Sequence, residues 1–248
     1  MSEWILVSGA TSGVGLELSK SLIKHGYCVY AIGRDHNKYS STLFKWSKEN
    51  SFEQSVNWLT FDFSSPDCIS KIEFKDLPKL SGFVNCAGVL PISPIKLESF
   101  ENIVNTININ LVSPILLTKE LLRSARIEKR GSVIFISSIS GLKVGSKGHS
   151  LYSASKAGIA GFVLSLANEC SSSQIRVNSI APGILDTPML LKTKNLIGED
   201  QFSQYAKQYP LGLGTPLSII PMIQFLLGDQ SAWITGQNFV IDGGFTLN

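Results

Sequence analysis

Tyr152 and Lys156 stand four residues apart, so any helix that contains them places both on one face. A phenol donates a proton, and its pKa near ~10 leaves the anion scarce at neutral pH. An adjacent ammonium stabilises that anion, and lowering the pKa by ~3 units corresponds to ~4 kcal/mol of differential stabilisation. Small residues surround the pair, with Ser153-Ala154-Ser155 between them and Ala157-Gly158-Ile159-Ala160-Gly161 after. They let a backbone or a ligand approach. Just upstream, an apolar run ends in Ser137-Ser138. A second group is Ser8-Gly9-Ala10-Thr11-Ser12-Gly13-Val14-Gly15, which joins an apolar run to a helical pattern. Such a turn gathers backbone N–H groups and the positive end of a helix at one point, which suits a pyrophosphate. Its spacing, G-x3-G-x-G, departs from the usual G-x-G-x-x-G fingerprint. Each motif alone is weak, so the elements that carry them decide.

Those elements alternate. Apolar, strand-like runs cover 4–9, 27–33, 56–61, 82–86, 131–137, 175–181 and 238–241. Helical patterns cover 14–25, 37–50, 98–127, 150–172 and 215–227, with a short helix at most in 65–79. Strands apolar throughout and alternating with helices imply a parallel sheet covered on both faces. The expected fold is therefore α/β: a doubly wound, Rossmann-type parallel sheet of about seven strands. No linker, repeat or charge block divides the 248 residues, so one domain, 1–248, is expected. The stretch 186–214 reads as irregular, and a substrate lid is expected at about 189–213.

Composition excludes other classes. With 44% hydrophobic and 17% charged residues the chain is not a disordered segment. A net charge of +3, evenly spread, argues against nucleic acid or a membrane surface as partner. No apolar run is long enough to span a bilayer, and Glu3 with no basic leader argues against a secretory signal. Cys28, Cys68, Cys86 and Cys170 form no CxxC pair. They read as reduced thiols of a cytoplasmic protein, and no metal site is expected.

The end of the second strand selects the dinucleotide. An acid there bonds a ribose 2′-hydroxyl, whereas an arginine accommodates a 2′-phosphate. Gly33-Arg34-Asp35 places arginine first. NADP(H) is expected ahead of NAD(H); the alternative leaves Arg34 in solvent and makes Asp35 the 2′-hydroxyl ligand.

In order along the chain, these features resemble the short-chain dehydrogenase/reductase family in its compact single-domain branch. The shared elements are Gly9/Gly13/Gly15, Asp62, Asn85-Cys86-Ala87-Gly88, Asn110 in Ile109-Asn110-Leu111, Ser138, and Tyr152 with Lys156. Pro182-Gly183 with Thr187, then Gly236 and Asp242-Gly243-Gly244, complete a likeness that covers essentially the whole chain. The resemblance implies a catalytic tetrad. Tyr152 would be the general acid in ketone reduction, Lys156 would stabilise its anion and bond the nicotinamide ribose, Ser138 would bond the carbonyl oxygen, and Asn110 would hold a water linking Lys156 to solvent. It also implies cofactor contacts from Gly9, Thr11, Ser12, Gly13, Val14 and Gly15. Asp62 would face adenine, Asn85, Ala87 and Gly88 the adenosine ribose, and Pro182, Gly183, Ile184 and Thr187 the nicotinamide and pyrophosphate. Asp62 as a helix cap and Asn85 as a brace of the sheet stay open. Cys86 departs from the second asparagine usual at its position.

The expected pocket is walled by Leu90-Pro91, residues 140–151, and Met189, Leu190, Phe202, Tyr205 and Tyr209 of the lid, with His149 and Lys143 in reach. It suits a carbonyl on an apolar or mixed chain, while packing of the lid aromatics against the body explains them at least as well. The closest resemblance is to 3-oxoacyl-[acyl-carrier-protein] reductases, which implies a 3-oxoacyl thioester. A basic patch of Arg126, Lys129 and Arg130 would dock the acidic carrier, although Ser171-Ser172-Ser173 offers no second basic element and a solvated helix end explains these charges equally well. A ketoreductase of polysaccharide or secondary metabolism is the alternative enzyme, and a catalytically silent NADP-binding regulator the alternative of another class. The family's habit of pairing long helices implies a homodimer or homotetramer.

Overall fold

Seven short apolar segments pair edge to edge in a computed structural model that describes residues 3–247, apart from the side chains of Lys192, Leu196 and Ile197. The strands are β1 (Trp4–Ser8), β2 (Cys28–Gly33), β3 (Val56–Thr60), β4 (Leu80–Asn85), β5 (Ile127–Ile136), β6 (Arg176–Pro182) and β7 (Asn238–Ile241). All pairings are parallel and the order is β3-β2-β1-β4-β5-β6-β7. This is the expected doubly wound sheet. The order reverses between β1 and β4, where the register sets Ser8 beside Asn85. Such a reversal opens a crevice at the carboxyl ends of the strands.

Helices cover both faces, because strands apolar on both sides need two covers. α1 (Gly13–Lys24), α2 (His36–Tyr39) and α3 (Lys45–Glu49) follow the first two strands. α4 (Phe100–Ile107), α5 (Ser113–Arg123) and α6 (Ser150–Glu169) flank β5 in the chain. α7 (Pro188–Ile197), α8 (Glu199–Ala206) and α9 (Ile220–Leu227) follow β6. One apolar cluster joins Leu6, Phe83 and Phe135 of the sheet to Leu117, Ile159 and Val163. The other joins Ile5, Val84 and Ile134 to Leu18, Leu22 and Ile223.

Several expected elements differ. The helix at 98–127 is two helices separated by a π-turn at Asn108–Val112. Pro114 has no N–H to offer the Asn110 carbonyl, so the ladder slips and the Ser113 N–H bonds Asn108 instead. Strand five begins at Ile127 rather than 131. The 37–50 helix is likewise interrupted, by a π-turn at Ser40–Phe44. Residues 65–79 form only 3-10 turns, Pro66–Lys71 and Phe74–Asp76. The stretch 186–214 is not irregular: it holds α7 and α8, with Pro188 in the first turn of α7 and Gly198, at φ +85°, between them.

A buried guanidinium anchors the far side of the sheet. Arg176 reaches the carbonyls of Leu226 (2.6 Å), Leu227 and Gly228 (both 3.3 Å) and the Ser231 hydroxyl (2.6 Å). It thus satisfies carbonyls at the end of α9 that the helix itself leaves unpaired. Arg176→Met strands those buried acceptors and should cost about 3 kcal/mol in urea unfolding. A loss below about 1 kcal/mol would show that water replaces the guanidinium.

Candidate active site

The turn after β1 sits against the loop after β4 because one hydroxyl ties them. Ser8 Oγ donates to Asn85 Oδ1 at 2.8 Å and accepts the N–H groups of Cys86 and Ala87, each at 3.0 Å. Gly9 closes the turn at φ +67°, and a Cβ there would lie 3.0 Å from the Ala87 nitrogen. Gly13 also has positive φ (+51°), and a Cβ there would meet Thr187 Cγ2 at 3.5 Å. Gly15 packs its α-carbon against the Gly9 carbonyl, where a side chain would collide. The helix that follows has no side-chain cap at Ser12 and no acid in its first turn. Its leading N–H groups therefore remain donors at the mouth of the crevice. A pyrophosphate fits this cradle: close-approach backbone, unpaired donors and no opposing carboxylate.

A cavity of about 400 Å³ extends from this turn across the carboxyl ends of β4, β5 and β6. Gly9, Ser12, Gly13 and Val14 line one end, with Ala87 and Gly88 beside them. Pro182, Gly183, Ile184 and Thr187 line it from the end of β6. Ser138, Tyr152 and Lys156 form the wall between.

That wall is built by α6 packing on the end of β5. Lys156 Nζ donates to the Ile136 carbonyl at 2.7 Å, and Ser137 Oγ donates to the Lys156 carbonyl at 3.1 Å. The ammonium lies 5.8 Å from the Tyr152 ring centroid. Among the described residues no carboxylate pairs with it. Burial lowers its pKa to about 8. Tyr152 moves the other way: burial raises its pKa, opposed by a hydrogen bond with the Ser138 side chain. The lowering of Tyr152 expected from sequence is thus reversed in this protein: desolvation, a tertiary effect, exceeds the pull of the Ser138 hydrogen bond. Ser138 also accepts the Ser140 N–H at 3.1 Å.

Asn110 sits behind this wall, turned inward by the π-turn. Its Oδ1 accepts the Val89 N–H at 2.8 Å, and its Nδ2 donates to the Val89 carbonyl (2.9 Å) and Ser155 Oγ (3.0 Å). The side chain clamps the loop after β4 to α6, one residue before Lys156. A Cβ on Gly88 would lie 3.3 Å from Asn110 Oδ1 and 3.4 Å from Lys156 Nζ, so Gly88 keeps that junction open.

Other expected residues lie outside the cavity wall. Thr11 is in the turn, and Asn85 is the brace already described. Asp62 accepts the Ser64 N–H and hydroxyl (2.9 and 2.7 Å), closing the turn after β3. Arg34 is exposed, and Asp35 caps α2 through the Lys38 N–H at 2.9 Å. Lys143 does not line the cavity; Lys147 does, with His149. Leu90 and Ile92 line it where Leu90-Pro91 was expected. Met189, Leu190, Phe202, Tyr205 and Tyr209 supply the facing wall. Cys86 lines it too, its thiol raised to about 12 by burial.

Three groups hold the site together in ways the sequence does not announce. Ser8 and Ser155 act across 77 and 45 residues of chain, so no local pattern marks them. Tyr209 is buried, stacks on Phe245 with ring centroids 4.6 Å apart, and accepts the Ile184 N–H at 3.1 Å. Arg126, expected in a basic patch, donates to the Ser124, Lys75 and Leu77 carbonyls. Lys129 and Arg130 lie near the start of β5, the end of that strand remote from the cavity.

A family model described as short chain dehydrogenase matches residues 3–196. The chain belongs to the short-chain dehydrogenase family. This short-chain dehydrogenase is 35% identical to the 3-oxoacyl-[acyl-carrier-protein] reductase FabG of Chlamydia muridarum, over 96% of this chain and 95% of the relative. It is 30% identical to the acetoacetyl-CoA reductase of an Acinetobacter species, over 98% and 97%. Among solved structures, a variant actinorhodin polyketide ketoreductase with NADPH superposes with a TM-score of 0.88 at 27% identity, covering 100% of this chain and 98% of that one. A 4-hydroxyisoleucine dehydrogenase with NADH gives 0.86 at 29%, covering both chains fully. This short-chain dehydrogenase is an oxidoreductase, with ketoreductases among its relatives. Among its described residues no helix is long and apolar enough to cross a membrane.

The lysine sets a pH dependence. Folded, Lys156 loses its proton as pH rises through about 8, whereas the unfolded chain keeps it to the ordinary 10.5. The burial penalty on its charged form is therefore present in full below about 8 and relieved as pH rises from there to 10.5. Activity that needs the ammonium falls over the same rise. In a pH series, kcat/KM for the cofactor, which reports the free enzyme, should decline above about pH 8. Lys156→Arg, whose charge persists, should lack that decline; a wild-type profile flat to about pH 10 would show the ammonium is not required.

Proposed function

We propose that the chain is an NADPH-dependent ketoreductase that reduces a 3-oxoacyl thioester to its 3-hydroxy form. The observation that carries this reading is the meeting of Ser138, Tyr152 and Lys156 on one wall of a cavity that ends at an uncapped helix N-terminus. The nicotinamide cofactor supplies the hydride. Gly9, Ser12, Gly13 and Val14 hold its pyrophosphate, with Thr187 across from Gly13. Lys156 holds the ribose, and the turn at Pro182, Gly183 and Ile184 positions the ring. Tyr152 gives its phenolic proton to the carbonyl oxygen as charge develops there. Ser138 hydrogen-bonds the same oxygen, and the Lys156 charge stabilises the phenolate left behind. Asn110 keeps Lys156 in register and holds water for reprotonation.

Arg34 supports NADPH. It is the exposed cation directly beyond β2, and Asp35, the rival 2′-hydroxyl ligand, is already committed to capping α2. The apolar facing wall of Met189, Leu190 and Phe202 supports an acyl chain. A carrier-borne thioester needs a docking surface near the cavity mouth, and Lys129 and Arg130 do not border it on the same chain. The thioester form this favours is free or coenzyme-borne. Phe100, Val104 and Leu164 expose apolar side chains on α4 and α6, which supports pairing with a second copy.

The test follows absorbance of NADPH, or of NADH in parallel, with an acetoacetyl thioester. Oxidation of NADPH alone is expected; oxidation of neither by folded protein would move the reading to a sugar or secondary-metabolite ketone, or to a regulator. Arg34→Glu should reverse the cofactor preference, with the NADPH/NADH ratio of kcat/KM falling about tenfold or more. An unchanged ratio would remove Arg34 from the site. Tyr152→Phe should cut kcat by about 100-fold or more while the cofactor Kd stays within about twofold.

A further inference from the structure

Among the described residues, the cavity wall carries one buried side-chain polar atom with no partner. His149 stands one helical turn before Tyr152, at the N-cap of α6. Its ring meets the Tyr152 ring edge-on, with centroids 6.2 Å apart and planes at 79°. Both residues line the same cavity. Nδ1 of His149 is buried and makes no hydrogen bond, a condition shared among the described residues only by Thr106 Oγ1. A neutral imidazole carries one N–H and one lone pair. A proton on Nδ1 would be a buried donor without an acceptor, which costs more than a bare lone pair does. The proton therefore resides on Nε2. Burial lowers the His149 pKa, which favours the neutral ring.

Nε2–H is then a donor held beside the reacting centre. Tyr152 and Ser138 are engaged with each other, and the proposed mechanism assigns both to the oxygen to be reduced. His149 has no such duty. We propose that His149 is a specificity-determining residue whose Nε2–H binds the second carbonyl oxygen of the substrate, two carbons from the ketone, and so selects 3-oxoacyl thioesters over isolated ketones. This rests on the thioester reading above and adds the residue that reads the thioester carbonyl. A site built around such a donor rejects a substrate that leaves it unpaired far more strongly than a merely apolar wall does. Lys147 also lines the cavity, but it belongs to an exposed part of the loop, where its ammonium keeps its water.

The experiment compares kcat/KM with NADPH for acetoacetyl-CoA and for 2-hexanone, which lacks the second carbonyl. It uses the full chain as wild type, H149F and H149Q, with NADPH affinity measured by fluorescence as the control for folding. H149F keeps an aromatic ring without the donor; it should lose about tenfold or more on acetoacetyl-CoA and less than about twofold on 2-hexanone. H149Q, which restores an N–H, should recover most of the loss. If H149F no longer binds NADPH, H149L takes its place in the same comparison. Equal losses on both substrates, or no loss on either, would overturn the assignment of His149 while wild-type reduction of acetoacetyl-CoA left the thioester reading standing. A wild type that reduces 2-hexanone but not acetoacetyl-CoA, or neither, would overturn both.

Discussion

An ammonium drawn into the interior with no acid beside it must be held by dipoles, and the site is arranged around that requirement. Lys156 takes the carbonyl of Ile136, the last residue of β5, and its own carbonyl takes the Ser137 hydroxyl. Those two bonds fix the rotation of α6 on the sheet. Tyr152, one turn earlier, is thereby aimed at the cavity beside Ser138. Ser155 passes the constraint on: it donates to the Tyr152 carbonyl and accepts from Asn110, which grips the loop after β4. One buried charge thus positions parts of three chain segments. An acid placed beside it would offset the desolvation and cancel the charge that a phenolate needs.

The second constraint lies at the reversal of strand order. Connections that leave β1 and β4 in opposite directions open a crevice beyond the carboxyl ends of these paired strands, and Ser8 ties its two sides with one hydroxyl. The glycine turn and the Ala87-Gly88 loop are brought together there, and the dinucleotide cradle is their shared rim. Glycine at position 9 is required by both its positive φ and the closeness of Ala87, two independent reasons for one residue type.

Local patterns in the sequence were enough for the sheet, the glycine turn and the Tyr152–Lys156 face, because each depends on neighbours within a few residues. What was not legible depends on distance or on competition between signals. The 98–127 helix reads as continuous because Ile107, Ile109, Leu111 and Val112 keep an apolar period, and only the missing N–H of Pro114 breaks the ladder. α7 carries its own start and stop in Pro188 and Gly198, but its mixed composition hides them. Beginning β5 four residues early carries Lys129 and Arg130 into a strand and away from the cavity. The rise in the Tyr152 pKa comes from burial by segments far apart in the chain, which no spacing rule contains.

Pro114 touches no part of the cavity, yet the direction in which Asn110 points is written there. A ladder of ordinary α-helical bonds through this region would carry each side chain about 100° per residue around the axis without the slip, and the amide would leave Val89 and Ser155. A side chain can therefore be turned out of its place with its own codon intact. In comparing such chains, the identity of an asparagine at the aligned position says little by itself; the imino acid four places downstream tells whether that asparagine can face the site.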